Sequence, residues 1–277
     1  MMAYLLWTRF KDQYEMIFVF ANTSREKQET LLFVHQLQVH FGLPIVWVQA
    51  VVHHGVRKSS THEIVTYETA CRDGSVFEEV IKKYGIPSTA IPHCTRELKT
   101  NPIKSYAKSL GWTGYQTVIG YRADEPKRVN LLAAQVKKQW YPLFEWGIRK
   151  PDVAVFWKKQ VFDLLLADYN GNCELCPKKS KRKLLTQIVE KPESVIWVLD
   201  MQNKHGMVAP LGYTGRLPMR FFRGWESIQD LIAESKLPFQ RSVDQSMNTL
   251  GAGQGQQIEF DFELDEQESC AESCEPF

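Results

Sequence analysis

Residues 171–183, "GNCELCPKKSKRK", set Cys173 and Cys176 three positions apart and follow them with a dense basic run. Such a pair is a redox dithiol, half of a metal site, or two reduced thiols packed at a helix start. The dithiol reading lacks its usual context, because a thioredoxin-like motif follows an early strand of a βαβ unit. The lysines and arginine after Cys176 would offset thiolate charge and extend a positive surface toward an anionic substrate; a short basic run is more often a solvated face.

A second constellation is "GYRADEPKR", residues 120–128, where Arg122 and Arg128 flank Asp124 and Glu125. The planar guanidinium fork suits phosphate because it donates two parallel hydrogen bonds. The carboxylates could orient that fork or bind a ribose hydroxyl, and the same residues also suit a solvated turn laced with surface ion pairs. In "NTSRE", residues 22–26, Asn22, Thr23 and Ser24 are ordinary N-cap types for the helix that follows. Cys270 and Cys274 lie in an acidic tail, a setting that dulls thiols. His53, His54 and His62 border a loop and are assigned no role, and Trp140, Trp146, Trp157 and Trp197 have the helical spacing of core residues.

These groups need a frame. At 277 residues with 44% hydrophobic content, the chain can build one large α/β domain with an extension. A net charge of +2 does not suggest non-specific nucleic-acid binding. No apolar run approaches the roughly 18 residues of a membrane helix. Nor does "MMAYLLWTRF" have the basic leader and cleavage site of a signal peptide. Six cysteines without an export signal imply reduced thiols, a metal or redox chemistry in the cytoplasm.

Apolar, β-rich runs at "EMIFVFANTS" and "PIVWVQAVVH" predict strands. Between them, Leu31, Leu32, Val34, Leu37 and Phe41 recur at helical spacing, and Gly42 is a stop. A loop at "HHGVRKSSTH", helices at "VFEEVIKKYG" and "PIKSYAKSLGW", and a strand running into a polar loop at "QTVIGYRADE" follow. The alternation predicts an α/β fold with a doubly wound, mostly parallel sheet. Ligands of such sheets bind beyond the carboxyl ends of the strands, which selects "ANTSRE" and "GYRADEPKR". Helices are expected at "KPDVAVFWKKQVFDLLL" and across "KRKLLTQIVEKPESVIWVLDMQNK", with one short helix in "LPMRFFRGWESIQDLIAES". The expected organisation is a nucleotide-binding α/β domain over 1–135, a helical part with the Cys-x-x-Cys pair over 136–205, an extension over 206–250 and a flexible acidic tail over 251–277.

Taken in order, "FVFANTSREKQETLLFV", "HCTRELKTNPIKSYAKSLGW", "VIGYRADEPKR", "YPLFEWGIRKPDVAVFW" and "GNCELCPKKSKRKLL" resemble the phosphoadenosine phosphosulfate (PAPS) reductase family, within the adenine nucleotide α-hydrolase-like (HUP) group. The resemblance covers roughly residues 1–200. It implies a nucleotide pocket lined by Asn22, Thr23 and Arg25. Arg122 and Arg128 would grip phosphate or sulfate, and Asp124 or Glu125 would orient them. In iron–sulfur-bearing members, a cysteine pair before the "RELK"-like stretch joins a later Cys-x-x-Cys to bind a [4Fe–4S] cluster. Here the first element is Cys94, preceded by His93, so the implied ligand set is Cys94, Cys173, Cys176 and His93, with Cys71 as an alternative fourth ligand. Three thiolates and an imidazole suit zinc, and His can replace Cys at iron–sulfur sites.

Two departures qualify the resemblance. The family opens with a strand and a Ser-Gly-Gly-x-x-Ser-type phosphate loop, whereas "MMAYLLW" resembles the helix after that loop, so a truncated or misassigned start is expected. The reductases' C-terminal Glu-Cys-Gly-Leu-His-like motif is not matched by "SCAESCEPF". The implied function is an enzyme that binds ATP or PAPS and acts in sulfonucleotide reduction, sulfur transfer or nucleotide activation. A thiol electron donor is an implied partner, and tRNA or another nucleic acid is one for the sulfur-transfer variant. The alternative is a catalytically silent nucleotide- or metal-binding protein.

Overall fold

A computed structural model describes residues 1–171 and 173–244. The order is α1 (Met2–Phe10), β1 (Phe18–Asn22), α2 (Gln28–Phe41), β2 (Ile45–Val51), β3 (Thr61–Val65) and α3 (Ser75–Tyr84). One continuous helical stretch then comprises α4 (His93–Thr95), a π-helical turn (Arg96–Thr100) and α5 (Asn101–Ser109). β4 (Thr117–Val118), α6 (Leu131–Lys137), β5 (Gln139–Trp140), α7 (Pro142–Glu145) and α8 (Lys150–Lys158) follow. The chain continues through α9 (Lys181–Glu190), α10 (Val195–His205) and α11 (Ile228–Glu234).

The protein is mixed α/β. β1 and β2 pair in parallel from Phe18↔Ile45 to Asn22↔Gln49, and β4 pairs in parallel with β5. The sheets are small: one has the order β1-β2-β3, the other is β4-β5. β3 is antiparallel to β2; it begins in the last two residues of the expected loop, Thr61 and His62, and continues to Val65, where no strand was expected. Its five residues are mostly exposed, so it lacks the apolar signature of the strand it pairs with. Of the strand expected to run into a polar loop over 116–125, only Thr117–Val118 is ordered as β, and in the loop part Arg122 hydrogen-bonds Asp124 and Glu125.

Local sequence explains most element ends. α2 stops at Gly42, whose φ of +60° is the left-handed conformation that ends a helix. Ser180 caps α9 through the Lys183 amide, and Ser227 with Asp230 forms a capping box on α11. The main apolar cluster draws on Ala50 of β2, Phe77, Val80 and Ile81 of α3, Leu98, Leu175, Leu184 and Ile188 of α9, Val198 of α10, and Ile228 and Leu231 of α11. Segments from three of the expected domains therefore share one core. Cys270, Cys274 and the acidic tail lie outside the described residues.

Candidate functional site

The chain leaves β1 through Asn22, Thr23 and Ser24, all essentially inaccessible to solvent. Asn22 donates to the Gln49 side chain and to the Cys71 carbonyl (2.8 Å), and its own oxygen accepts from the Ser24 amide. Ser24 adopts φ of +65°, a strained conformation for a residue with a Cβ. That bend aims its hydroxyl at the Phe77 amide, 3.2 Å away, in the first turn of α3. Gly74, the α3 N-cap, has no side chain to offer, so Ser24 satisfies that amide from another segment.

Directly beyond this bend lies the Cys-x-x-Cys turn. Glu26 and Cys173 form an isolated antiparallel bridge, and the Glu174 amide donates to the Arg25 carbonyl at 3.1 Å. Arg25 pairs with Glu174 at 2.9 Å and lies 4.5 Å from the Trp197 ring centre. Lys191 takes the other Glu174 oxygen at 2.8 Å. Glu26, buried, accepts from the Thr23 amide (2.8 Å) and hydroxyl (2.6 Å), and Lys99 approaches it to 3.7 Å. Lys179 is 3% exposed and donates to the Cys173 carbonyl at 3.3 Å. Burial lowers its pKa to about 8, against the opposing pull of Cys176. Among the described residues, the cations Arg25, Lys99, Lys179 and Lys191 converge there with the carboxylates of Glu26 and Glu174, a setting that suits thiolates or an external anion.

Cys94, Cys173 and Cys176 line one narrow pocket together with Thr23, Thr95, Lys99, Trp197 and Phe221. Its open space is about 20 Å³. The π-helical turn helps to place the first sulfur: closing bonds i to i+5 brings Cys94, Thr95, Leu98 and Lys99 onto the face that borders the pocket. Glu97, on the other side, anchors this turn by accepting from the Ser60 amide and hydroxyl, Arg96 and Asn101.

The remaining expected site residues lie elsewhere. His93 is buried but turns its Nε2 proton to the Gly85 carbonyl at 3.0 Å, its Nδ1 has no hydrogen-bond partner among the described residues, and it does not line the thiol pocket. Burial lowers its pKa to about 4, so the ring is neutral near pH 7. The Cys71 thiol donates to Asp73, whose carboxyl is drawn down to about 2 chiefly by that bond. Arg122 is held by Asp124 (3.0 Å) and Glu125 (3.5 Å), and Arg128 by Glu125 with its guanidinium 4.3 Å from the Tyr121 ring centre. None of these four lines the thiol pocket.

The donor chemistry of three thiols fits zinc or an iron–sulfur cluster. Their disposition does not: among the described residues, no group of three or more His, Cys, Asp or Glu side chains is arranged to hold a metal ion. Sequence reasoning missed Glu26 and the site role of Trp197; Lys179 was expected within the basic run that offsets thiolate charge, but not its burial against the Cys173 carbonyl. Trp197 does pack against the main core, and its second role against Arg25 leaves no mark in its helical spacing.

Among the described residues, no helix is long and apolar enough to cross a membrane. No family model matches the chain, and no solved structure matches it. The chain is similar to an uncharacterised nin region protein, ORF290, of Escherichia phage lambda, with 30% identity over 189 residues. The match covers 66% of this chain and 64% of the phage protein, so it spans less than two thirds of that relative's length.

Proposed function

We infer that the protein is a cytoplasmic, PAPS reductase-like enzyme of doubly wound ancestry that binds an adenine nucleotide and performs sulfur chemistry at the Cys94, Cys173 and Cys176 pocket. The observation that supports this most directly is the seam between two segments distant in sequence. The Cys173–Cys176 turn is bonded to residues 23–26 just beyond the carboxyl end of a parallel strand, where ligands of α/β sheets bind. Arg25, Lys179 and Lys191 there suit the anionic end of ATP or PAPS. In this reading Asn22 and Thr23 shape the pocket wall and Arg25 faces the nucleotide. Arg122 and Arg128, held by Asp124 and Glu125, grip a phosphate or sulfate. An external thiol serves as electron donor, and the basic run 178–183 serves a nucleic-acid substrate such as tRNA in the sulfur-transfer variant.

The test is calorimetric titration of ATP and of PAPS into the full chain, with iron and zinc analysis of anaerobically purified protein. Micromolar binding of one nucleotide, weakened about tenfold or more by Arg122→Ala, is expected; a charge-assisted hydrogen bond of about 1.5–3 kcal/mol corresponds to that loss. No binding of either nucleotide, or unchanged affinity in Arg122→Ala, overturns the assignment. A second reading, a nucleotide-binding scaffold without chemistry, is favoured by the prior pairing of both arginines with carboxylates. It is selected if a nucleotide binds but is recovered unaltered in the presence of a dithiol.

A further inference from the structure

Cys173 and Cys176 are the first and fourth residues of a β-turn. The Cys176 amide donates to the Cys173 carbonyl at 3.2 Å, and Leu175, third in the turn, has φ of +48°. The Cα atoms at the two ends of a β-turn lie within about 7 Å, a range that overlaps the roughly 4.4–6.8 Å spanned by a disulfide. A left-handed leucine is strained backbone. Here its side chain is buried in the main core at 1% exposure, which holds the turn in that shape. The two cysteines border the same narrow space as Cys94, while among the described residues the donor groups around them are not disposed to hold a metal ion.

We propose that Cys173 and Cys176 are a redox-active dithiol that closes to an intramolecular disulfide by exchange with small external disulfides. One thiolate of the pair attacks a sulfur of R–S–S–R, forming a mixed disulfide and expelling RS⁻. The second cysteine then attacks the mixed disulfide at the protein sulfur, closes the Cys173–Cys176 bond and expels the second RS⁻. The two thiol protons leave on the two RSH products, so two cysteines are oxidised as one external disulfide is reduced. Closure alters a turn that bridges Glu26 and presents Glu174 to Arg25, so the redox state reaches the segment at the end of β1. This activity does not depend on nucleotide binding.

The test uses the whole protein, reduced and desalted under argon, then equilibrated in glutathione buffers from fully reduced to fully oxidised. Acid quenching, alkylation in denaturant and peptide mass spectrometry locate the bonds. Loss of two hydrogens within the peptide holding Cys173 and Cys176 is expected, retained in Cys94→Ser. Cys176→Ser is expected to stop at a glutathione adduct on Cys173. Full alkylation of both thiols in the most oxidising buffer overturns the proposal. So does a bond from Cys94 to either cysteine as the end product, or stoichiometric zinc or iron that shields the thiols. Circular dichroism before quenching confirms that the wild-type result comes from folded protein. ATP and PAPS titrations on the same samples report the nucleotide reading separately, and their failure leaves disulfide closure standing.

Discussion

The Thr23 hydroxyl lies 3.2 Å from Cys173 Sγ, joining residues 150 positions apart in a fully buried contact. The hydroxyl gives its one proton to Glu26 at 2.6 Å, and the Cys173 thiol faces two acceptors, the Thr23 oxygen and the other Glu26 oxygen at 3.7 Å. Thr23→Val keeps the shape and removes the shared oxygen, leaving the Glu26 carboxylate and the thiol facing a methyl group. A loss of about 2 kcal/mol is expected in urea unfolding, with Thr23→Ser retaining most of the stability.

Gly74 is required by close approach as well as by conformation. Its φ is +87°, and an added Cβ would lie 2.4 Å from Trp197 Nε1 and 2.9 Å from Arg25 Cδ. Gly74→Ala should cost about 2–4 kcal/mol through left-handed strain and overpacking. Displacing Trp197 from Arg25 should also change tryptophan emission, which fluorescence-monitored denaturation reads together with the stability.

Arg25 and Glu174 form an ion pair with both side chains largely buried, flanked by the Trp197 ring. A double-mutant cycle of Arg25→Met and Glu174→Gln should give a coupling energy of about 1–2 kcal/mol. The Arg25→Met change alone should cost more than Glu174→Gln, because it also removes the cation–π contact. A coupling near zero would detach the Cys-x-x-Cys turn from the end of β1.

Glu97 is the anchor of the π-helical turn. Its buried carboxylate accepts from the Ser60 amide (3.1 Å), the Ser60 hydroxyl (2.7 Å), Arg96 (2.8 Å) and Asn101 (3.2 Å). Those bonds outweigh burial and hold its pKa below the usual carboxylate value. Glu97→Ala strands several donors and should cost about 3 kcal/mol at neutral pH. It should also release Cys94, read as faster labelling of that thiol by maleimide.

His93 makes stability fall in mild acid. Its folded pKa is lowered from 6.5 to about 4, so between those values the unfolded chain takes up a proton that the folded chain refuses. Its contribution is whole above about pH 6.5 and is lost as pH falls toward 4, amounting to roughly 3 kcal/mol at about 1.4 kcal/mol per pKa unit. His93→Gln should flatten that part of the stability–pH curve measured by guanidinium unfolding.

Much of the scaffold was legible from pattern. The apolar run before Asn22, the three-and-four spacing from Leu31 to Phe41 and the stop at Gly42 report backbone preference and one-sided burial, which adjacent residues record. β3 escaped because an exposed strand needs little apolar sequence, only a partner edge supplied by β2. At the site, residue types identified Thr23, Arg25 and the Cys-x-x-Cys pair as candidates, since thiols and guanidinium groups have chemistry wherever they lie. Tertiary structure decided which of them meet. It placed Cys94 beside the 173/176 turn and sent the neighbouring His93 ring to Gly85, because one helical step turns a side chain by about 100°. It also recruited Glu26, Lys99, Lys179 and Trp197, whose roles depend on partners up to about 170 positions away along the chain. Sequence spacing encodes periodic faces; the charge balance of a buried site is set only when distant segments close upon one another.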